Sequence, residues 1–327
     1  MKQADIIKFV AKLLANYSVF APVKKSGGIF VCKIDSAKEV DWSGDIPANS
    51  FKSIFLPSRE VLFETKRAEF KPVDPSVPPT VALAMNVLDL QAFTLFEHVF
   101  EKDFYYQERR QNIYVIGFTN GIEDDFRRYK VFHQAYEENV LEHVMFDIFV
   151  EKQKNGNVLF FSGSQKGQKL LESTGVKDYE NIEFAGLQPE RGIDPRVAVN
   201  RAAVEKNEYH RLWQELSEIC LACGKCSIVC PTCFCFDELD EPELDQVKKA
   251  RQWASCFYPE FSKVVGGHKD LNTLAKKLYF WYFHKFARIP EELGYFGCVS
   301  CMRCYKTCPV GINVAKNLQR LKIKKAS

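Results

Sequence analysis

The sequence has no apolar run long enough to cross a bilayer. No secretory signal opens it either. The first stretch, MKQADIIKFVAKLLANYSVF, is amphipathic, with Ile6, Val10, Leu13 and Leu14 on one helical face and Lys2, Lys8 and Lys12 elsewhere. A cytoplasmic protein with no membrane span is expected. An excess of one charge is also missing: 45 basic side chains face 42 acidic ones, for a net charge of +3. Without a long single-sign run, nucleic acid is not an expected partner. The basic end, RLKIKKAS, reads as a solvated helix end. The phosphate-binding patterns G-x-G-x-x-G and G-x-x-x-x-G-K-[ST] do not occur, and neither does the nucleophile elbow G-x-S-x-G. Any flavin or nicotinamide is therefore expected on a partner. The short SGSQKGQK stretch reads as a hairpin or a strand-to-helix turn.

What the sequence does have is cysteine. Of 12 cysteines in 327 residues, only Cys32 lies outside positions 220–308. A disulfide framework serves small secreted domains, and this chain, with 46% apolar residues, is long enough for a proper core. In a reducing compartment such thiols are available to metal. Cys220, Cys223, Cys226 and Cys230, then Pro231, follow the pattern C-x₂-C-x₂-C-x₃-C-P. Cys298, Cys301, Cys304 and Cys308, then Pro309, repeat it. This is the bacterial ferredoxin spacing for [4Fe–4S] clusters. Three cysteines spaced by two wrap one cube in a tight turn. The fourth faces away and ligates the other cluster. The spacing therefore predicts one cluster on Cys220, Cys223, Cys226 and Cys308, and a second on Cys298, Cys301, Cys304 and Cys230. The proline redirects the chain after the last ligand.

The competing reading is a zinc-stabilised binding module. Zinc sites usually draw on two separated Cys or Cys/His pairs, and four cysteines within eleven residues, twice, suit a cube better. Cys233, Cys235 and Cys256 read as structural or supporting thiols, because each predicted cube already has four ligands. Cys32 reads as a small buried hydrophobe. Lys225, Arg303 and Lys306 lie inside the motifs, where positive charge would raise a reduction potential or steer a partner; ordinary solvent exposure is the alternative. His268, after Gly266 and Gly267, reads as a structural histidine, and Trp253 as core. Arg109 and Arg110 read as part of an exposed loop, with anion binding as the alternative.

Composition divides the chain near residue 200. Before it, GGIFVCKI, KSIFLP, TVALAM, NIYVIGF, VMFDIFVE and NVLFFS read as strands, and LDLQAFTLFEHVF and GQKLLEST as helices. PVDPSVPPT, with Pro72, Pro75, Pro78 and Pro79, reads as an internal loop. Beyond the linker at 187–203 the pattern turns helical. Leu212, Trp213, Leu216 and Ile219 form a stripe leading into Cys220, and DEPELDQVKKARQWASCF and DLNTLAKKLYFWYFHKF also read as helices. The aromatic stretch at 278–286 predicts a buried helix. The expected fold is α+β: a mixed α/β docking domain over 1–200, without a clean βαβ repeat, then a helical ferredoxin-like domain over 201–327 with two [4Fe–4S] clusters.

In CLACGKCSIVCPTCFCF, followed by RQWASCF, VVGGHKD and CVSCMRCYKTCPVGINVAKNLQR, the sequence resembles the beta subunits of cytoplasmic sulfhydrogenases, the NADP-linked nickel–iron hydrogenases. It is similar also to the corresponding iron–sulfur component of anaerobic sulfite reductase. The resemblance extends, more weakly, through REVLFE, VLDLQAFTLFEHVFEKDFYYQERRQNIYVIGF and NVLFFSGSQKGQKLL. It implies a non-catalytic electron-transfer subunit. The partner that binds flavin (FAD) and NAD(P)H would sit beside it, and hydrogenase small and large subunits, or sulfite reductase subunits, would complete the complex. The sequence departs from the family at Leu88 and Asp89, where relatives often carry a Cys-Asp pair. It departs again in TNGIEDDFRR, which lacks a cysteine group that relatives have. An extra metal site in the N-terminal region is therefore not expected.

Overall fold

In a computed structural model, the described residues are 3–66, 69–188, 192–243, 246–264, 266 and 269–322. The predicted structural role of His268 lies outside them. Strands β1 (Ser18–Lys25) and β2 (Gly28–Ile34) form an antiparallel pair, as do β3 (Arg59–Lys66) and β4 (Glu69–Pro72). Strands β5 (Thr80–Met85), β6 (Ile113–Thr119), β7 (Ile148–Lys152), β8 (Val158–Ser162) and β9 (Glu180–Asn181) follow, and then β10 (Phe236–Glu243) and β11 (Gln246–Trp253). The chain folds as two units. One comprises Met1–Leu56, Asp74–Val131 and Ala135–Arg191, and the other Pro57–Val73, Phe132–Gln134 and Gly192–Ser327.

The first unit is a mixed seven-stranded sheet in the order β2-β1-β5-β6-β7-β8-β9, with β1, β5, β6 and β7 mutually parallel. Strand β5 is buried along its whole length, as expected of a parallel strand covered on both faces. Ile6, Phe9, Val10 and Leu13 of the helix Gln3–Leu14 cluster with Val81, Ile116, Ile148 and Phe160 of the sheet, so the amphipathic first stretch is a core helix. On Gly117, in β6, a Cβ would lie 2.4 Å from Phe149 and 2.8 Å from Leu90 of the helix Val87–Val99. Only glycine lets that helix approach the sheet so closely. In the same helix Asp89 is buried, and it accepts from the Asn86 side chain at 2.9 Å.

Two expectations for this unit are corrected. KSIFLP holds a helical turn, Lys52–Phe55, rather than a strand. Arg109 and Arg110 lie on the helix Phe104–Gln111, not in an exposed loop. Arg109 Nη1 donates to the Phe55 carbonyl at 3.0 Å, and Arg110 pairs with Glu97 and Asp147, so both guanidinium groups serve the fold. SGSQKGQK is a strand-to-helix turn in which Ser164 caps the helix Gln165–Ser173.

The second unit contains helices and a sheet. Helices Pro195–Glu205, Leu212–Ile219, Leu274–Phe283 and Val314–Lys322 contribute to one core around Trp213, Trp281, Tyr282 and Phe286. The aromatic stretch is buried in that core, and it continues into a π-helical turn, His284–Arg288. The segment DEPELDQVKKARQWASCF, expected to be helical, instead supplies most of β10 and β11 in an antiparallel sheet of order β10-β11-β3-β4. The cause is tertiary. Ala250 opposes Val61 of β3, and Arg251 forms an ion pair with Glu60, both nearly buried. Pro242 is tolerated because β10 is an edge strand. Among the described residues, no helix is long and apolar enough to cross a membrane.

Candidate metal centre

Each cysteine motif opens where the chain leaves regular structure. The helix Leu212–Ile219 ends at Cys220, whose backbone turns extended. Two left-handed residues follow, Ala222 (φ 51°) and Gly224 (φ 71°). The second motif repeats them at the same motif positions, with Ser300 (φ 61°) and Met302 (φ 57°). Left-handed backbone costs a non-glycine residue about 1–2 kcal/mol. It also turns successive N–H groups towards one side, into a concavity suited to an anion. The backbone N–H of Ala222 donates to Cys220, and that of Ser300 to Cys298, which makes the two turns equivalent in detail. At Gly224 a Cβ would also lie 2.6 Å from Tyr258 and 2.9 Å from Ser255, so this position requires glycine twice over. Short helices, Lys225–Ile228 and Arg303–Lys306, carry each chain on to its fourth cysteine.

The motifs interleave. Cys220, Cys223 and Cys226 line one pocket together with Cys308 from the end of the second motif. Cys308 is correspondingly among the thiols that act on Cys220. Conversely, Cys230 lies near the second motif: its thiol raises the pKa of both Cys298 and Cys304. Cys301 acts on the same two thiols. Cys304 also lines the pocket of the first group, so the two groups adjoin. Burial, with neighbouring thiols adding to it, pushes Cys226 and Cys298 up to about 12. Thiols this buried resist ionising alone.

The surroundings of the two groups differ. The first group's pocket is walled by Phe257, Leu278, Trp281, Tyr282, Ile312 and Val314. The Trp281 ring N–H is buried there with no hydrogen-bond partner. Near Cys230 stands Lys285, only 3% exposed, on the π-helical turn. Its ammonium donates to Cys230 Sγ at 3.1 Å and to Thr232 Oγ1 at 3.1 Å. Burial alone would lower the Lys285 pKa, but the Cys230, Cys233 and Cys298 thiols hold it well above the ordinary lysine value. A hydrogen bond from Cys233, then the Lys285 charge, holds Cys230 well below the usual thiol range despite burial. Arg303 is 1% exposed inside the second turn, whereas Lys225 and Lys306 are exposed. Cys256 is buried, and burial raises it to about 12. Cys32 packs, partly buried, against the core of the first unit.

These residues fit iron–sulfur clusters. Four thiols converge in each group, the backbone turns N–H groups inward, an orphan indole N–H lines one pocket, and a buried ammonium stands against the other group. Cluster sulfurs and thiolates are the acceptors and counter-charges such groups require. Among the described residues, no three His, Cys, Asp or Glu side chains converge tightly enough to hold a single metal ion.

The comparison with known proteins agrees on the class. Residues 219–312 match the family described as "4Fe-4S dicluster domain". The similarity to a particular relative runs further. The chain is 25% identical over 330 residues to Sulfhydrogenase 2 subunit beta of Pyrococcus furiosus, covering 96% of this chain and 95% of that one. The resemblance to sulfhydrogenase beta subunits thus spans nearly the whole sequence, beyond the cysteine motifs. No solved structure matches the chain.

Sequence reading missed Lys285 and Thr232. The available signal for Lys285 was a charged residue inside an otherwise aromatic buried stretch. Thr232 follows Pro231 with no signal of its own.

Proposed function

We propose that the chain is the electron-transfer subunit of a soluble hydrogenase-type complex. It relays single electrons through two [4Fe–4S] clusters between a partner that binds flavin and NAD(P)H and the catalytic subunits. The observation that carries this reading is the interleaving of the motifs, with Cys308 beside Cys220 and Cys230 acting on Cys298 and Cys304. It supports one cluster on Cys220, Cys223, Cys226 and Cys308, and another on Cys298, Cys301, Cys304 and Cys230. When bound, such clusters accept and release one electron each without making or breaking substrate bonds. The chain's residues provide the rest. The thiolates hold the irons, the N–H groups of Ala222 and Ser300 donate to the ligand sulfurs, and the aromatic wall excludes water. The contact of Cys304 with the first pocket keeps the two groups near enough for electron exchange. The relative's name, a sulfhydrogenase beta subunit, favours hydrogenase small and large subunits as partners.

Anaerobic purification with iron and sulfide analysis, and EPR after dithionite reduction, tests the proposal. About eight irons per chain and two interacting [4Fe–4S] signals are expected. Zinc in place of iron, with no EPR signal, would overturn the relay and leave a structural metal module.

A further inference from the structure

We propose that Lys285 sets the two cluster sites apart, its buried ammonium raising the reduction potential of the cluster on Cys298, Cys301, Cys304 and Cys230 above that of its neighbour. The proposal rests on the two-cluster reading above and concerns which cluster holds the electron.

The geometry locks the ammonium in place. A lysine ammonium has three N–H donors. Here the acceptors are Cys230 Sγ at 3.1 Å, Thr232 Oγ1 at 3.1 Å and the Gly297 carbonyl at 3.4 Å. Thr232 Oγ1 in turn donates to the Gly297 carbonyl at 2.7 Å. This small network joins the end of the first motif to the residue just before Cys298. The backbone supports it. A Cβ on Gly297 would lie 2.5 Å from the Lys285 carbonyl oxygen and 3.0 Å from Lys285 Cα, so the second turn rests directly on the lysine's own backbone. A π-helical turn inserts an extra residue into a helix and re-aims its side chains, a device common at functional sites. On the other side, the ammonium lies 5.3 Å from the centre of the Trp281 ring.

Among the described residues, no carboxylate stands within ion-pair distance of Lys285. A buried cation without a counter-charge is strongly unfavourable. The cluster proposed on Cys230 and its partners is the anion that balances it. Reduction adds one negative charge to that cluster, and a fixed positive charge beside a ligand sulfur stabilises the reduced form more than the oxidised one. The first site has no equivalent. Its pocket walls are apolar or aromatic, and Lys225, the cation among its lining residues, is exposed to solvent, which screens it. The second cluster is therefore reduced first, and an electron entering at the first site moves towards Lys285.

The test is an EPR-monitored redox titration of the anaerobically purified full chain, alongside the Lys285→Met and Lys285→Gln variants, with iron counted in each sample. Gln keeps a donor and removes the charge, so it separates electrostatics from the hydrogen bond. In the wild type, two midpoints are expected. In both variants only the higher one should fall, by enough to cut the reduced fraction at fixed potential about tenfold, equivalent to about 59 mV for one electron. The lower midpoint should stay in place. Full iron content with both midpoints unmoved would overturn the role of Lys285 and leave the two-cluster reading intact. Iron lost from both variants would also overturn it, because Lys285 would then serve assembly alone. A wild-type chain without iron would instead defeat the underlying reading.

Discussion

The first cysteine turn leaves Cys223 and Lys225 exposed, whereas the second buries Cys301 and Arg303. Their backbones are nevertheless alike: the same spacing, the same two left-handed positions, and the same N–H donation to the first cysteine. The difference separates two tasks. Wrapping a cluster needs only the local turn, which a motif can encode. The cluster's electrostatic setting comes from what is packed against the turn. For the first turn this is an aromatic wall; for the second it is an ammonium brought in by a distant helix. The same division appears at the equivalent positions Gly224 and Met302. Both are left-handed, but only Gly224 is pressed against Tyr258 and Ser255.

The largest expected effect breaks that comparison at Gly224. Gly224→Ala adds the left-handed cost and a close contact with two neighbours, for a loss of about 2–4 kcal/mol. Thermal melting of the anaerobic protein should drop, with iron lost first from the first site. At Met302 the conformational relief from Met302→Gly is offset by greater freedom of the unfolded chain, and the change should stay within about 1 kcal/mol. Equal losses at both positions would show that the packing difference between the turns has no energetic weight. A smaller and separate effect is expected in the first unit. Gly117→Ala should cost about 1–3 kcal/mol by pressing on Phe149 and Leu90. Denaturant unfolding would register it, while the iron content of the folded protein should not change.

The cysteine turns were legible because their spacing is a local geometric constraint. Strands such as NIYVIGF and TVALAM were legible because a buried strand needs a short, continuous apolar run. The strands β10 and β11 were not, since their charges and spaced apolar residues also satisfy a helical period. What selects the strand is pairing with β3, far away in sequence, through Arg251 and Glu60. Pro242 was the one local sign, because proline is costly inside a helix. KSIFLP misled in the opposite direction: its apolar run is short enough for either state, and the structure makes it a helical turn. Arg109 and Arg110 read as an exposed pair, because nothing nearby in sequence shows the Phe55 carbonyl or Asp147 that they reach. Lys285 was hidden for the same reason, since its acceptors lie on two other segments.

The crossing of the motifs is tested most directly by the iron and sulfide content of two double variants purified anaerobically. Cys230→Ala with Cys301→Ala removes two ligands from one proposed cluster, and about four irons per chain should remain. Cys230→Ala with Cys223→Ala removes one ligand from each, and the iron should fall towards zero. The reverse pattern, with about four irons kept only in the second pair, would show that each motif closes on its own cluster and would contradict the account.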